Sequence, residues 1–141
     1  MDIEVGSTLL LYHPTLGRKM NLGKINLLDK FQKLPPGDYA VGLIAKMNNY
    51  EFKIVKFKGD FVWHSHPDTD ETFIIIDGTL VMNFRNRVEQ IHAGEMIVIP
   101  KGVEHKPSSE NGYKAILIEP EGVPNTGNVQ SEVTIDKIEW V

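Results

Sequence analysis

From Tyr39 to Glu119 the chain is a series of short apolar stretches cut at close intervals by turn residues, and this pattern leaves few folds open. Strands are predicted over residues 39–47, 50–57, 61–66, 71–76, 79–85, 88–91, 95–99 and 113–119. Asn48-Asn49, Lys58-Gly59-Asp60, Asp77-Gly78, Ala93-Gly94 and Pro100-Lys101-Gly102 punctuate them. Many short strands with regular turn signals indicate an all-β sandwich or barrel. Two of the strands are apolar on both faces. Thr72, Ile74 and Ile76 alternate with Phe73 and Ile75, and Met96 and Val98 alternate with Ile97 and Ile99. A strand that is dry on both sides must be covered twice. The barrel interior takes one face; a helix, a second sheet or a second copy of the chain takes the other. A homodimer is the expectation that follows.

The flanks read differently. Ile25, Leu28 and Phe31 recur at spacings of three, which predicts a short helix over 25–34, stopped by Pro35-Pro36-Gly37. A second short helix is expected over 134–141, with Ile135, Ile138 and Trp140 covering apolar surface. Residues 1–19 are expected to form an N-terminal extension, an edge strand over 3–12 or a dimer arm, with a turn at Leu16-Gly17-Arg18-Lys19. Residues 20–141 then make a single domain.

Composition excludes several functions. With 141 residues, 41% hydrophobic and 24% charged, the chain suits one soluble globular domain. It has no cysteine, so disulfides, thiolate metal sites and a cysteine nucleophile are excluded, and a cytoplasmic location is expected. Its net charge is −4, and Lys53, Lys56 and Lys58 are merely spread along one strand, which argues against a nucleic-acid partner. The longest apolar runs, such as Phe73-Ile74-Ile75-Ile76, are too short to cross a bilayer as a helix, so no membrane partner is expected.

The chemistry is concentrated in Trp63-His64-Ser65-His66-Pro67-Asp68-Thr69-Asp70-Glu71. Residues two apart on a strand point the same way, so His64 and His66 aim at one point. Two converging imidazoles suit a metal ion. Pro67 and Asp68 break the strand and allow Glu71 to return from a neighbouring one, with Phe73 and Ile75 deeper on the same face. His105, after the turn at Pro100-Lys101-Gly102, can supply a fourth ligand from across the barrel. His92 sits at a turn and reads as a surface residue.

These residues also carry a resemblance. The cupin family has two short motifs, and His64, His66, Glu71 and Gly78 stand at the spacing of the first. Gly94, Pro100, Gly102 and His105 stand at the spacing of the second, and fifteen residues separate Gly78 from Gly94, as in small microbial cupins. Gly59 is one residue closer to His64 than the pattern asks, and Ser109 stands where the pattern ends in Asn. The segments Phe57–His64 and Glu119–Asn128 and the ending Lys137-Ile138-Glu139-Trp140-Val141 resemble small single-domain cupins described as mannose-6-phosphate isomerase-like. The resemblance implies a double-stranded β-helix, or jelly-roll barrel, with a short N-terminal helix. It also implies one divalent metal ion (Zn, Mn, Fe, Ni or Co) on His64, His66, Glu71 and His105.

The leading functional expectation is a metal-dependent enzyme acting on a small polar metabolite by isomerase-like Lewis-acid chemistry, with Glu71 doubling as a catalytic proton carrier. The alternatives are an Fe-dependent dioxygenase and a non-catalytic protein that binds a small molecule or a metal. The alternation of Leu80, Met82 and Phe84 with Val81, Asn83 and Arg85 predicts an apolar pocket. Such a pocket does not suit a phosphosugar, which would need Lys or Arg inside.

Overall fold

The structure is a computed structural model that describes residues 3–5, 8–13, 18–21 and 23–141. Near the N-terminus, β1 (Ile3–Val5), β2 (Thr8–His13) and β3 (Arg18–Asn21) form an antiparallel sheet in chain order. The single strand expected over 3–12 is therefore two strands. Arg18 and Lys19 pair with His13 and Tyr12 instead of turning, and Leu16 and Gly17 lie outside the described residues.

The helix α1 (Leu27–Gln32) is shorter than predicted because Asn26 caps it: its side-chain oxygen accepts from the Asp29 N–H at 3.1 Å. Phe31 turns inward and meets Leu34, Ala40, Ile44 and Ile54 in a small outer core. The helix thus covers one outer face of the strands that follow. Those strands are β4 (Tyr39–Met47) and β5 (Tyr50–Asp60), joined through Asn48, which takes a φ of 54°.

The remaining strands are β6 (Glu71–Phe84), β7 (Val88–His92), β8 (Met96–Ile99) and β9 (His105–Pro120). The sheet runs β4-β5-β9-β6-β7, and β8 pairs with the first part of β6. This is an antiparallel jelly-roll barrel. Two predicted strands, 71–76 and 79–85, are one continuous β6. Asp77-Gly78 is a bend at which the pairing with β9 shifts register, and no hairpin turn forms. Gly78 has a φ of 76°, and a Cβ there would stand 2.2 Å from the Gly112 carbonyl oxygen, so the bent strands meet backbone to backbone. Ser109 ties the same bend: its hydroxyl donates to the Thr79 carbonyl at 2.7 Å and accepts from the Gly112 N–H at 3.0 Å.

Two further expectations are corrected. Residues 61–66 do not form a regular strand; His64 alone bridges to His105. Residues 134–141 form no helix. The Leu43 N–H donates to the Glu139 carbonyl, and the Val141 N–H donates to the Leu43 carbonyl. The tail lies extended along β4, where an open sheet edge offers backbone partners that a short helix would forgo. Inside the barrel, Val55, Phe73, Ile75, Leu80, Met82 and Leu117 form the main core, with Leu80 and Met82 fully buried as their alternation predicts. Each such side chain contributes about 1.5–3 kcal/mol by leaving water.

Candidate metal centre

His64, His66, Glu71 and His105 are brought together in the barrel, all four buried, with one ligand atom from each lying within 4.8 Å of the others. The chain achieves this from three directions. His64 and His105 are held side by side by reciprocal backbone hydrogen bonds, His64 N–H to the His105 carbonyl at 3.0 Å and the reverse at 2.9 Å. Glu71 opens β6 and faces inward with Phe73 and Ile75. His66 is fixed from behind. The Gly102 N–H donates to its carbonyl at 2.8 Å, and the loop through Gly127 and Asn128 clamps its neighbour Ser65. Gly127 has a φ of 54°, and a Cβ there would lie 2.0 Å from the Ser65 carbonyl oxygen.

Ring orientation follows from the second nitrogen of each imidazole. His64 Nδ1 stands 2.9 Å from the Val62 carbonyl, and His105 Nδ1 stands 2.9 Å from the Val103 carbonyl. A carbonyl only accepts, so both Nδ1 atoms carry the proton and both Nε2 atoms face the centre. His105 Nε2 is 3.3 Å from Glu71 Oε1. His66 Nε2 is 2.8 Å from Glu71 Oε2, within ion-pair distance but off the line of a hydrogen bond, and neither ring nitrogen of His66 has a hydrogen-bond partner. Buried polar atoms are rarely left so. Orphaned imidazole nitrogens beside a buried carboxylate fit a metal ion of the kind that takes nitrogen and oxygen donors.

The electrostatics separate the members of the cluster. Burial, with the neighbouring His105, pushes His64 down to about 4, so it is neutral at ordinary pH. Burial also pulls His66 down, but the Glu71 carboxylate outweighs it and His66 ends above its usual value. Burial works against ionised Glu71, and the two imidazoles His105 and His66 overcome it, so Glu71 lies well below the usual carboxylate range and stays charged.

Around the cluster the lumen is less apolar than expected. Lys53 is buried inside it, its ammonium donating to Glu119 at 2.8 Å and standing 3.7 Å from Glu51. The strand registers explain the grouping. Lys53 pairs with Leu117 and Phe73 also pairs with Leu117, while Glu51 pairs with Glu119 one step along. Continuing that register sets Glu119 across from Glu71 on the inner face. Burial first, then the Glu71 charge, raises the Glu119 carboxyl, with Lys53 opposing. The expectation of a lumen without Lys or Arg is therefore wrong, although the charge of Lys53 is already matched by Glu119. The missed signal was period two: Lys53 falls in step with Val55 and Phe57, and Glu119 with Leu117 and Ala115.

Other residues fall where the sequence placed them or have a structural task. His92 is exposed and meets the Thr79 hydroxyl at 3.0 Å. Asp70 accepts from the Lys101 N–H at 2.9 Å and so tethers the loop before Glu71 to the turn before His105. The Arg85 guanidinium lies 3.9 Å above the ring of half-buried Trp63.

A family model for the cupin domain matches residues 53–118, which span β5 to β9. A crystal structure of a cupin-2 domain protein from Shewanella frigidimarina is 50% identical with a TM-score of 0.66, covering 69% of this chain and 94% of that one. This chain belongs to the cupin family. The cupin is also similar to the solved protein NMB1881 of Neisseria meningitidis, at 31% identity and a TM-score of 0.63, covering 70% of this chain and 99% of that one. An uncharacterized Bacillus subtilis protein, YdbB, is 34% identical over 67 residues, 47% of this chain and 59% of its own length. This cupin thus spans less than two thirds of that curated relative.

Proposed function

We propose that this cupin holds one divalent metal ion on His64, His66, Glu71 and His105, and that it acts on a small polar metabolite in isomerase-like chemistry. The observation that carries the reading is the buried cluster itself, in which neither ring nitrogen of His66 has a hydrogen-bond partner among the described residues although the ring lies beside the Glu71 carboxylate. The donor set of three imidazoles and one carboxylate suits Zn, Mn, Fe, Ni or Co. The ion would supply Lewis-acid polarisation of a carbonyl or hydroxyl oxygen. The chain's own residues orient and neutralise. The Val62 and Val103 carbonyls hold two imidazoles in the right tautomer, and Glu71, which stays ionised, serves as ligand and as proton acceptor, not as an acid.

A non-catalytic binding role is the second reading. A cavity of only about 30 Å³ beside His64 and Glu71 and the prior commitment of Lys53 to Glu119 favour it. Elemental analysis of protein purified without a metal column tests the common core of both readings. The wild type is expected to carry metal, and the His64→Ala, His66→Ala double variant to carry none. No metal in either protein, or equal metal in both, would overturn the assignment.

The reading extends to assembly and place. Val88, Met96 and Val98 stand exposed on the outer face of β7 and β8, and we assign that face to a homodimer, with residues 1–19 as an extension outside the single cupin domain. The absence of cysteine favours a cytoplasmic protein. Among the described residues no helix is long and apolar enough to cross a membrane.

A further inference from the structure

The small cavity beside the cluster is lined by His64, Glu71, Tyr39 and Tyr113, with Phe73 and Leu117 among its apolar residues. The two phenols have protons that no group among the described residues accepts. For Tyr39 this follows from Asn125. Asn125 Oδ1 accepts from the Ile135 N–H at 2.8 Å, which fixes the amide orientation. Its Nδ2 then donates to the Val133 carbonyl at 2.8 Å and to the Tyr39 hydroxyl at 3.0 Å. The Tyr39 oxygen is therefore an acceptor toward Asn125, and its own proton must point elsewhere. The ring is held in edge-to-face contact with Phe57 and Phe61, at centroid distances of 5.4 and 5.6 Å. Tyr113 is only 4% exposed, and its hydroxyl has no hydrogen-bond partner among the described residues. A phenol hydroxyl that opens onto a cavity with its proton unclaimed is a ready donor to whatever occupies that cavity.

Charge narrows the ligand. A divalent ion on three neutral imidazoles and one carboxylate carries one net positive charge, the Lys53–Glu119 pair adds none, and a buried net charge is expensive. A monoanion removes it. Donors in the lining require an acceptor atom, the apolar walls suit a short hydrocarbon body, and the cavity volume of about 30 Å³ admits only a few heavy atoms. We propose that Tyr39 and Tyr113 bind the substrate-side ligand of this site, donating hydrogen bonds to an oxygen of a small monocarboxylate held against His64 and Glu71. This rests on the metal reading above and adds the class of ligand. Both phenols are pushed up by burial, Tyr39 to about 12, so both remain donors through the physiological range.

The test uses the protein loaded with Co²⁺, whose visible absorption reports the centre, and acetate as the probe. Acetate should perturb the spectrum saturably, whereas inorganic phosphate should not. Tyr39→Phe and Tyr113→Phe should each bind Co²⁺ as the wild type does and bind acetate about tenfold more weakly, the loss expected for one hydrogen bond to a charged group. Unchanged acetate affinity in both variants overturns the subsite and leaves the metal reading intact. Failure of the wild type to take up Co²⁺ overturns both. Wild-type protein labelled with fluorotyrosine needs no substitution: the ¹⁹F resonances of Tyr39 and Tyr113 should shift on adding acetate, and unmoved resonances would refute the assignment even if a variant does not fold.

Discussion

At the residue scale, the cluster titrates unequally. His64, already neutral down to about pH 4, has no proton to lose when a metal arrives at neutral pH. His66 lies above its usual value because of Glu71 and must lose one. Metal affinity should therefore fall as pH drops through the raised value of His66, with His64 competing only near pH 4. Calorimetry in buffers of different ionisation enthalpy should detect release of about one proton from His66 per metal near pH 6. The sign for folding is separate. A histidine with a depressed folded value contributes stability above its ordinary value and loses it as pH falls, so the His64 contribution should fade between pH 6.5 and 4. Replacing Glu71 by Gln removes the charge that lifts His66. Burial is then opposed only by the smaller pull of Glu119, and the His66 titration followed by NMR should move to lower pH than in the wild type.

Elements act on the cluster through two contacts. One is the C-terminal loop, which reaches Ser65 with the Asn128 N–H at 3.0 Å and the Asn128 side chain at 2.9 Å. A side chain at Gly127 would meet the Ser65 carbonyl, and the residue is left-handed. Gly127→Ala should destabilise the fold by about 2 kcal/mol or more in urea unfolding. It should also weaken metal binding, because His66 moves with Ser65. The other contact is the cross-strand row that sets Lys53 against Glu119. With both partners nearly inaccessible, Lys53→Met leaves a buried carboxylate uncompensated, and denaturant melts should show a loss of about 3–5 kcal/mol. The Lys53→Met, Glu119→Leu pair should recover most of it. Little or no loss in the single variant would mean that Glu119 is neutral in the fold.

At the scale of the whole molecule, β7 and β8 leave Val88, Met96 and Val98 outward. Light scattering at micromolar concentration should give twice the monomer mass, and Val98→Lys should reduce it to one. A wild-type monomer would refute the dimer.

The cluster was legible in the sequence through the spacing of His64, His66 and Glu71 around the break at Pro67 and through the turn that opens the strand of His105, although 61–66 is not the regular strand that a period of two assumes. The helix at Phe31 and the turn at Asn48 were legible for the same reason. The joining of 71–76 and 79–85 into β6 was not, because a bent strand and a hairpin share the turn residues Asp77-Gly78, and only the pairing with β9 distinguishes them. The tail was misread as a helix because the open edge of β4, which draws it out, lies almost a hundred residues away in sequence. Residue spacing and side-chain period thus determined the members of the buried cluster, the strand-rich class and the inward set Leu80 and Met82. Tertiary structure alone decided that Lys53 and Glu119 share the lumen and that Asn125 directs the proton of Tyr39, because these pairings depend on strand register and loop closure between segments that no local rule connects.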